Sequence, residues 1–241
     1  PHSLGDFFRS GKVFEFLAIA LGVSLLSNFF DELHRKLGRD AIYNLVLGKY
    51  HQVKQEERLF LFIDLNDSTL IAEEMGEMEF SHFLQDYFYD ISEPIARYFG
   101  RVYQYVGDEV VITWPVRKGI RYAVCVRLFF AIQKQIRRYE SQYMKRYGRV
   151  PAFKAALHGG NVVVSEVGKY KAEIAYHGDV LNTTARMLSK CHDFGSEFII
   201  SDYVQERVEM PKYLRTEDLG PYQLKGKQQE VQLHAVYLTV K

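Results

Sequence analysis

Arg58-Leu-Phe-Leu-Phe-Ile-Asp-Leu-Asn-Asp-Ser-Thr69 is an apolar run that stops abruptly at an acid. Leu59 to Ile63 are five large apolar residues in succession, the length and composition of a strand buried on both faces. Asp64 ends the run. The polar turn Asn66-Asp67-Ser68-Thr69 then offers several helix N-caps. The pattern predicts a helix to about Gly76 and a second over about 79–98. A second stretch has the same character. Residues 101–106 and 110–114 are β-branched and aromatic runs around Val106-Gly107-Asp108-Glu109. Gly-Asp between such runs predicts a hairpin.

Downstream, residues 120–147 carry Val124, Leu128, Ile132 and Ile136 at four-residue steps, which predicts one long helix. Pro151 opens a strand over 152–158, Gly159-Gly160 turns the chain, and 161–167 returns as a strand. A helix is expected over 178–191, a strand over 198–201, a short helix over 202–208 and a strand over 213–218. Residues 222–224 and 231–240 close the chain as a hairpin through Lys225-Gly226-Lys227. Strands and helices are mixed and several strands pair as hairpins, so the class is α+β or a split βαβ arrangement.

Upstream lies the one shift in composition. Residues 13–30, VFEFLAIALGVSLLSNFF, carry a single charge, Glu15. A membrane-spanning helix needs ~20 apolar residues, with a range down to about 17. His34, Arg35, Lys36 and Arg39 follow, which puts the downstream side in the cytoplasm. We expect the end of a membrane anchor, with a dimer-forming amphipathic helix as the other reading. No small-residue cleavage pattern of a signal peptide follows. Leu33, Leu37, Ile42, Leu45 and Val46 keep near-helical spacing before Gly48. The expected division is therefore an apolar helix over 1–30, a helical connector over 31–57 and a main domain over 58–241. The chain starts at Pro1 without an initiator Met, and we expect it to be a piece of a larger protein.

Composition excludes several classes. Lys+Arg minus Asp+Glu is 31 − 30 = +1, so no basic field invites nucleic acid, and none is expected as a partner. Two cysteines make no disulfide framework. No GxxxxGK[ST] or strand-borne GxGxxG occurs, and no Cys/His spacing fits zinc. Asp64 and Asp108 stand out instead. If their strands are neighbours, both carboxylates emerge at one end of a sheet. Hard divalent cations take such oxygen ligands together with substrate phosphates. The helix start at Ser68 and Thr69 adds free backbone N–H groups suited to phosphate. The plainer reading makes Asp64 an N-cap neighbour and Asp108 a turn former.

Four motifs in order decide between these readings. Phe62-Ile-Asp64-Leu-Asn-Asp-Ser-Thr69 and Tyr105-Val-Gly-Asp108-Glu-Val-Val111 resemble the two metal motifs of class III nucleotide cyclase catalytic domains. His158-Gly-Gly160, then Gly178-Asp-Val-Leu-Asn182-Thr-Thr-Ala-Arg186, resembles the family's helix bearing Asn and Arg. Leu224-Lys225-Gly226-Lys227 resembles its C-terminal lysine motif. The resemblance implies a ferredoxin-like, palm-type sheet with covering helices. It implies cyclisation of ATP to 3′,5′-cyclic AMP and pyrophosphate at a homodimer interface. Two Mg²⁺ or Mn²⁺ ions would be held by Asp64, Asp108 and the Leu65 carbonyl. By the same resemblance Asn182 orients the ribose, Arg186 stabilises charge on the α-phosphate and Lys225 contacts phosphate. One subunit would give the carboxylates, its partner the other three.

Two positions depart from the family pattern. Adenylate cyclases usually carry Lys three residues before the glycine of the second metal motif, where this chain has Gln104. The partner position, three before Gly178, is Ala175. The Glu and Cys usual in guanylate cyclases are missing as well. ATP is the expected substrate and a cell-membrane protein with a cytoplasmic catalytic domain the expected setting. A guanylate cyclase, or a cyclase-like module without turnover, is the alternative.

Overall fold

The computed structural model describes residues 12–37, 52–170, 172–223 and 230–239. The chain divides into two compact units, one of residues 1–53 and 165–174, the other of 54–164 and 175–241. In the first unit, α1 runs unbroken over Lys12–Leu37, through the boundary expected at residue 30. Its stretch Val13–Leu33 has a mean hydropathy of 1.9, with none of it buried. By length and composition it can cross a membrane. The expected connector over 38–51 lies outside the described residues.

The second unit is built on β1 (Lys54–Leu65). It begins four residues before the apolar run, so residues 54–57 are strand and not the end of a helical connector. The reason is the partner: Lys54, Gln55 and Glu56 pair with Val164, Val163 and Val162. A ladder satisfies their backbone whatever the side chains are. The chain continues through α2 (Ser68–Met75), α3 (Glu77–Arg97), β2 (Arg101–Val106) and β3 (Glu109–Pro115). Asp67 caps α2 from a left-handed conformation, φ 55°, and its side chain makes no capping bond.

The long helix expected over 120–147 is broken. A single turn, α4 (Val116–Gly119), leads to a kink at Tyr122 and Ala123, where φ is 54° and 53°. Then come α5 (Val124–Arg138) and α6 (Glu140–Tyr147), parted at Tyr139. Apolar periodicity survives such breaks because each piece buries the same face.

β4 (Phe153–Val167) corrects the sequence reading most sharply, since Gly159-Gly160 does not turn the chain. Gly159 and Gly160 sit mid-strand, paired with Leu59 and Arg58. A Cβ at Gly159 would lie 2.5 Å from both Leu59 Cδ2 and Tyr203 Cε1. The glycine is there for close approach, not for a turn. The chain reverses after Val167 into β5 (Glu173–His177), a strand the sequence reading omits. α7 (Asp179–Ser189), β6 (Phe198–Ser201) and α8 (Asp202–Gln205) follow. β7 (Leu214–Tyr222) absorbs the start of the expected closing hairpin through a bulge between Asp218 and Gly220, and pairs with β8 (Val231–Leu238). The turn at Lys225-Gly226-Lys227 lies outside the described residues.

The sheet order is β2-β3-β1-β4-β6-β8-β7, with β5 paired to β4. β1 is antiparallel to both neighbours, and β4 is parallel to β6. Leu59, Leu61, Ile63 and Leu65 join α3 (Phe83, Tyr87, Ile91, Ile95) and α5 (Leu128, Phe129, Ile132) in one core. The alternate residues Phe60 and Phe62 are buried on the other face. There α7 lies along β1, with Val180 beside Gly160. This is the α+β sheet with covering helices that the motifs imply.

Candidate active site

β1 and β3 are antiparallel with Ile63 opposite Val110. That register brings Asp64, the next residue on β1, to the same sheet end as Asp108 in the β2–β3 turn. The two carboxyls are close enough to hydrogen-bond. Asp64 also stands opposite Lys154 of β4, whose Nζ lies 2.8 Å from Oδ2. Burial raises the Asp64 carboxyl above its ordinary range; the bond from Lys154 opposes this and the charge of Asp108 adds to it. Glu109 is pushed up to about 7 by burial, then by the charges of Asp64 and Asp108. Behind them the Tyr87 hydroxyl is fully buried and has no hydrogen-bond partner among the described residues. Burial, then the charges of Asp64 and Asp108, hold it above its ordinary range.

Two neighbouring carboxylates and a buried hydroxyl at one strand end form an oxygen-rich donor set of the kind hard cations take. Among the described residues no three His, Cys, Asp or Glu side chains converge into a metal cage. Two carboxylates nonetheless match what Mg²⁺ takes from protein, because it keeps waters and phosphates for its other positions. Leu65 is buried in the same strand end, opposite Phe153. Ser68 and Thr69 open α2, half-buried and exposed respectively.

Asn182 and Arg186 stand one helical turn apart on α7, whose opposite side buries Val180, Thr183, Thr184, Met187 and Leu188. Asn182 is exposed and Arg186 half-buried. Among the described residues neither side chain hydrogen-bonds or ion-pairs with Asp64 or Asp108. Lys225 lies outside the described residues. Gln104 is exposed on β2, opposite Val111 and just after a bulge. Ala175 is half-buried on β5.

The structure links these last two through their neighbours. Tyr103 and Tyr176 are in ring contact, and Phe60 touches both. Over Tyr176, at 4.8 Å, lies the guanidinium of Arg58. Arg58 is 1% exposed, donates from Nε to Thr113 Oγ1 and pairs with Glu56. Sequence reading missed Lys154, Tyr87 and this aromatic cluster. Only Lys154 carried a signal, as a lone cation inside an apolar strand.

Known proteins agree with this architecture. The family model described as the adenylate and guanylate cyclase catalytic domain matches residues 51–237. Adenylate cyclase 2 of Rhizobium meliloti (strain 1021) is 40% identical over 215 residues, 89% of this chain; the chain spans 59% of that relative's length. A bacterial light-regulated adenylyl cyclase superposes with a TM-score of 0.73 at 16% identity, over 92% of this chain and 64% of that one. The guanylyl cyclase Cya2 superposes at 0.65 with 20% identity, over 76% and 92%. A sheet of this order, the paired carboxylates at its end and a family match over most of its length lead to one conclusion: the chain belongs to the adenylate and guanylate cyclase catalytic domain family.

Proposed function

We propose that this chain is the catalytic part of an adenylate cyclase that acts as a homodimer. The single observation that carries the reading is the contact of the Asp64 and Asp108 carboxyls at one sheet end. The 40% identity to an adenylate cyclase favours ATP. Asp64, Asp108 and the Leu65 carbonyl would hold two Mg²⁺ or Mn²⁺ ions. Bound there, the ions would lower the pKa of the ribose 3′-hydroxyl and screen the triphosphate.

The remaining groups align and stabilise. The 3′-oxygen gives its proton to water and bonds to the α-phosphorus, and the bond from that phosphorus to the β-phosphate oxygen breaks, releasing pyrophosphate. Asn182 holds the ribose so that its 3′-oxygen faces the α-phosphate. Arg186 offers a planar fork to the charge that grows there, and Lys225 a point charge to the phosphates. The backbone N–H groups at Ser68 and Thr69 face the phosphate chain. Asn182, Arg186 and Lys225 act from the partner subunit, which accords with the lack, among the described residues, of side-chain bonds from Asn182 and Arg186 to Asp64 and Asp108 within one chain. Two-fold symmetry then makes two identical sites.

GTP is the second reading, and Gln104 with Ala175 leaves it open. A glutamine amide both donates and accepts, so it suits either purine edge, and alanine supplies no ionic partner. We place the catalytic domain in the cytoplasm, behind a membrane anchor formed by α1. Purified protein given Mn²⁺ with either ATP or GTP, and scored for cyclic product and pyrophosphate, tests the reading. No cyclic product from either nucleotide sinks it.

A further inference from the structure

Among the described residues Lys154 is the one cation paired with Asp64, and the reaction above leaves it unused. The β1–β4 ladder sets it opposite Asp64, and Nζ lies 2.8 Å from Oδ2. Both side chains are about one quarter exposed, at 24% and 25%. Phe153 and Ala155, its neighbours along β4, are core residues. The pair is therefore held by two central strands, unlike a surface ion pair between mobile side chains. Among the described residues Asp64, Asp108 and Glu109 make no other ion pair.

We propose that Lys154 is the built-in counter-ion of the carboxylate pair: its ammonium, paired with Asp64 Oδ2, competes with a divalent cation for the charge of Asp64 and so weakens the hold of the nucleotide-free protein on that cation. The inference rests on reading Asp64 and Asp108 as the cation's ligands. The physical argument is competition together with repulsion. An Asp64 carboxylate that already neutralises Nζ offers a divalent cation less net negative charge, and the ammonium repels a charge of +2 at short range whether it stays or swings aside. A lysine suits this role. Its point charge rides on a flexible four-carbon stem and can swing aside, whereas an arginine fork would grip the carboxylate with two bonds. The crowded carboxylates are thus kept from repelling one another before nucleotide arrives. Free cation is held loosely until the triphosphate adds negative charge of its own.

The test uses the whole chain with Mn²⁺ alone, without nucleotide, and reads bound Mn²⁺ by electron paramagnetic resonance or calorimetry. Lys154→Met and Lys154→Gln should each bind Mn²⁺ about ten-fold more tightly than wild type, a repulsion between charges ~4 Å apart discounted for partial exposure. Lys154→Arg should bind no more tightly than wild type. A variant that merely loosened the fold would bind less tightly, so tightening cannot come from structural damage. Asp64→Asn separates the two ideas. If it loses Mn²⁺ binding while Lys154→Met and Lys154→Gln bind as wild type or worse, the counter-ion proposal is overturned and the carboxylate reading stands. If Asp64→Asn binds Mn²⁺ as wild type does, the carboxylate reading falls and the proposal with it.

Discussion

Tyr103 on β2 and Tyr176 on β5 meet edge to face with ring centroids 4.9 Å apart, although 73 residues separate them in sequence. Phe60 lies 5.4 Å from the second ring, and the buried Arg58 covers it. The cluster fixes two strands whose next residues are Gln104 and Ala175. A bulge between Val102 and Gln104 interrupts the regular ladder of β2 at Tyr103, and Gln104 just after it is exposed while Ala175 is half-buried.

That arrangement makes base preference testable. Gln104→Lys combined with Ala175→Asp should raise the ratio of kcat/KM for ATP over GTP by roughly ten-fold or more, because a site left with an unpaired polar group by the wrong base rejects it strongly. Steady-state kinetics with both nucleotides reads the ratio. An unchanged ratio would place base reading elsewhere in the molecule.

Asp64→Ala and Arg186→Ala should each fall to ~1% of wild-type turnover or below, the scale of losing one charge-stabilising group. Each should stay folded, since the two residues lie at a strand end and on the partly exposed side of α7. Mixed in equal amounts, the two inactive proteins should recover about one quarter of wild-type activity per chain. Half of the dimers would then be mixed, and each would hold one intact site. No recovery after confirmed subunit exchange would falsify a site shared between subunits.

Much of this site was legible in advance because its signals are local. Asp64 closes an apolar run and Asp108 fills a hairpin turn, and both readings depend on a dozen residues. What stayed hidden depends on pairing between distant segments. Lys54 to Glu57 read as polar helix, yet Asn161 and three valines more than 100 residues away make them a strand. Lys154 gains its meaning only from the register that faces it to Asp64. Gly159-Gly160 has the composition of a turn, and the contacts that explain it come from Leu59 and Tyr203. β5 is short and half-exposed, with no apolar alternation to announce it.

The close approach at Gly159 has an energetic consequence. A methyl group at Gly159 would meet Leu59 Cδ2 and Tyr203 Cε1 at 2.5 Å, and Leu59 is fully buried. Overpacking of this kind costs about 1–3 kcal/mol. Gly159→Ala should therefore lower Tm by roughly 3–10 °C. Calorimetry or thermal circular dichroism checks it, and an unchanged Tm would show that Leu59 and Tyr203 yield at little cost.

We expect α1 to anchor the chain in a membrane. Its candidate span, Val13–Leu33, is 21 residues long. At 1.5 Å per residue that is ~31 Å, against ~30 Å for the hydrocarbon core of a bilayer. Phe14, Phe16, Ile19, Leu21, Val23, Leu25, Leu26 and Phe29 are all more than half exposed, around the whole helix and not along one stripe. An amphipathic helix would concentrate them on one side, whereas a helix apolar on every side suits lipid. His34, Arg35 and Lys36 follow, so an anchor here would by the positive-inside rule set its downstream end in the cytoplasm. The full chain should partition into the detergent phase of a cloud-point separation. Removal of residues 1–48, which leaves β1 and the whole sheet in place, should send it to the aqueous phase. If the connector helps to pair two subunits, the shortened chain will also need higher protein concentration for full specific activity. Specific activity that is identical at every concentration would remove the connector from dimer formation. A full chain that stays in the aqueous phase as a discrete oligomer would replace the anchor with a helix that buries its apolar surface on a second copy.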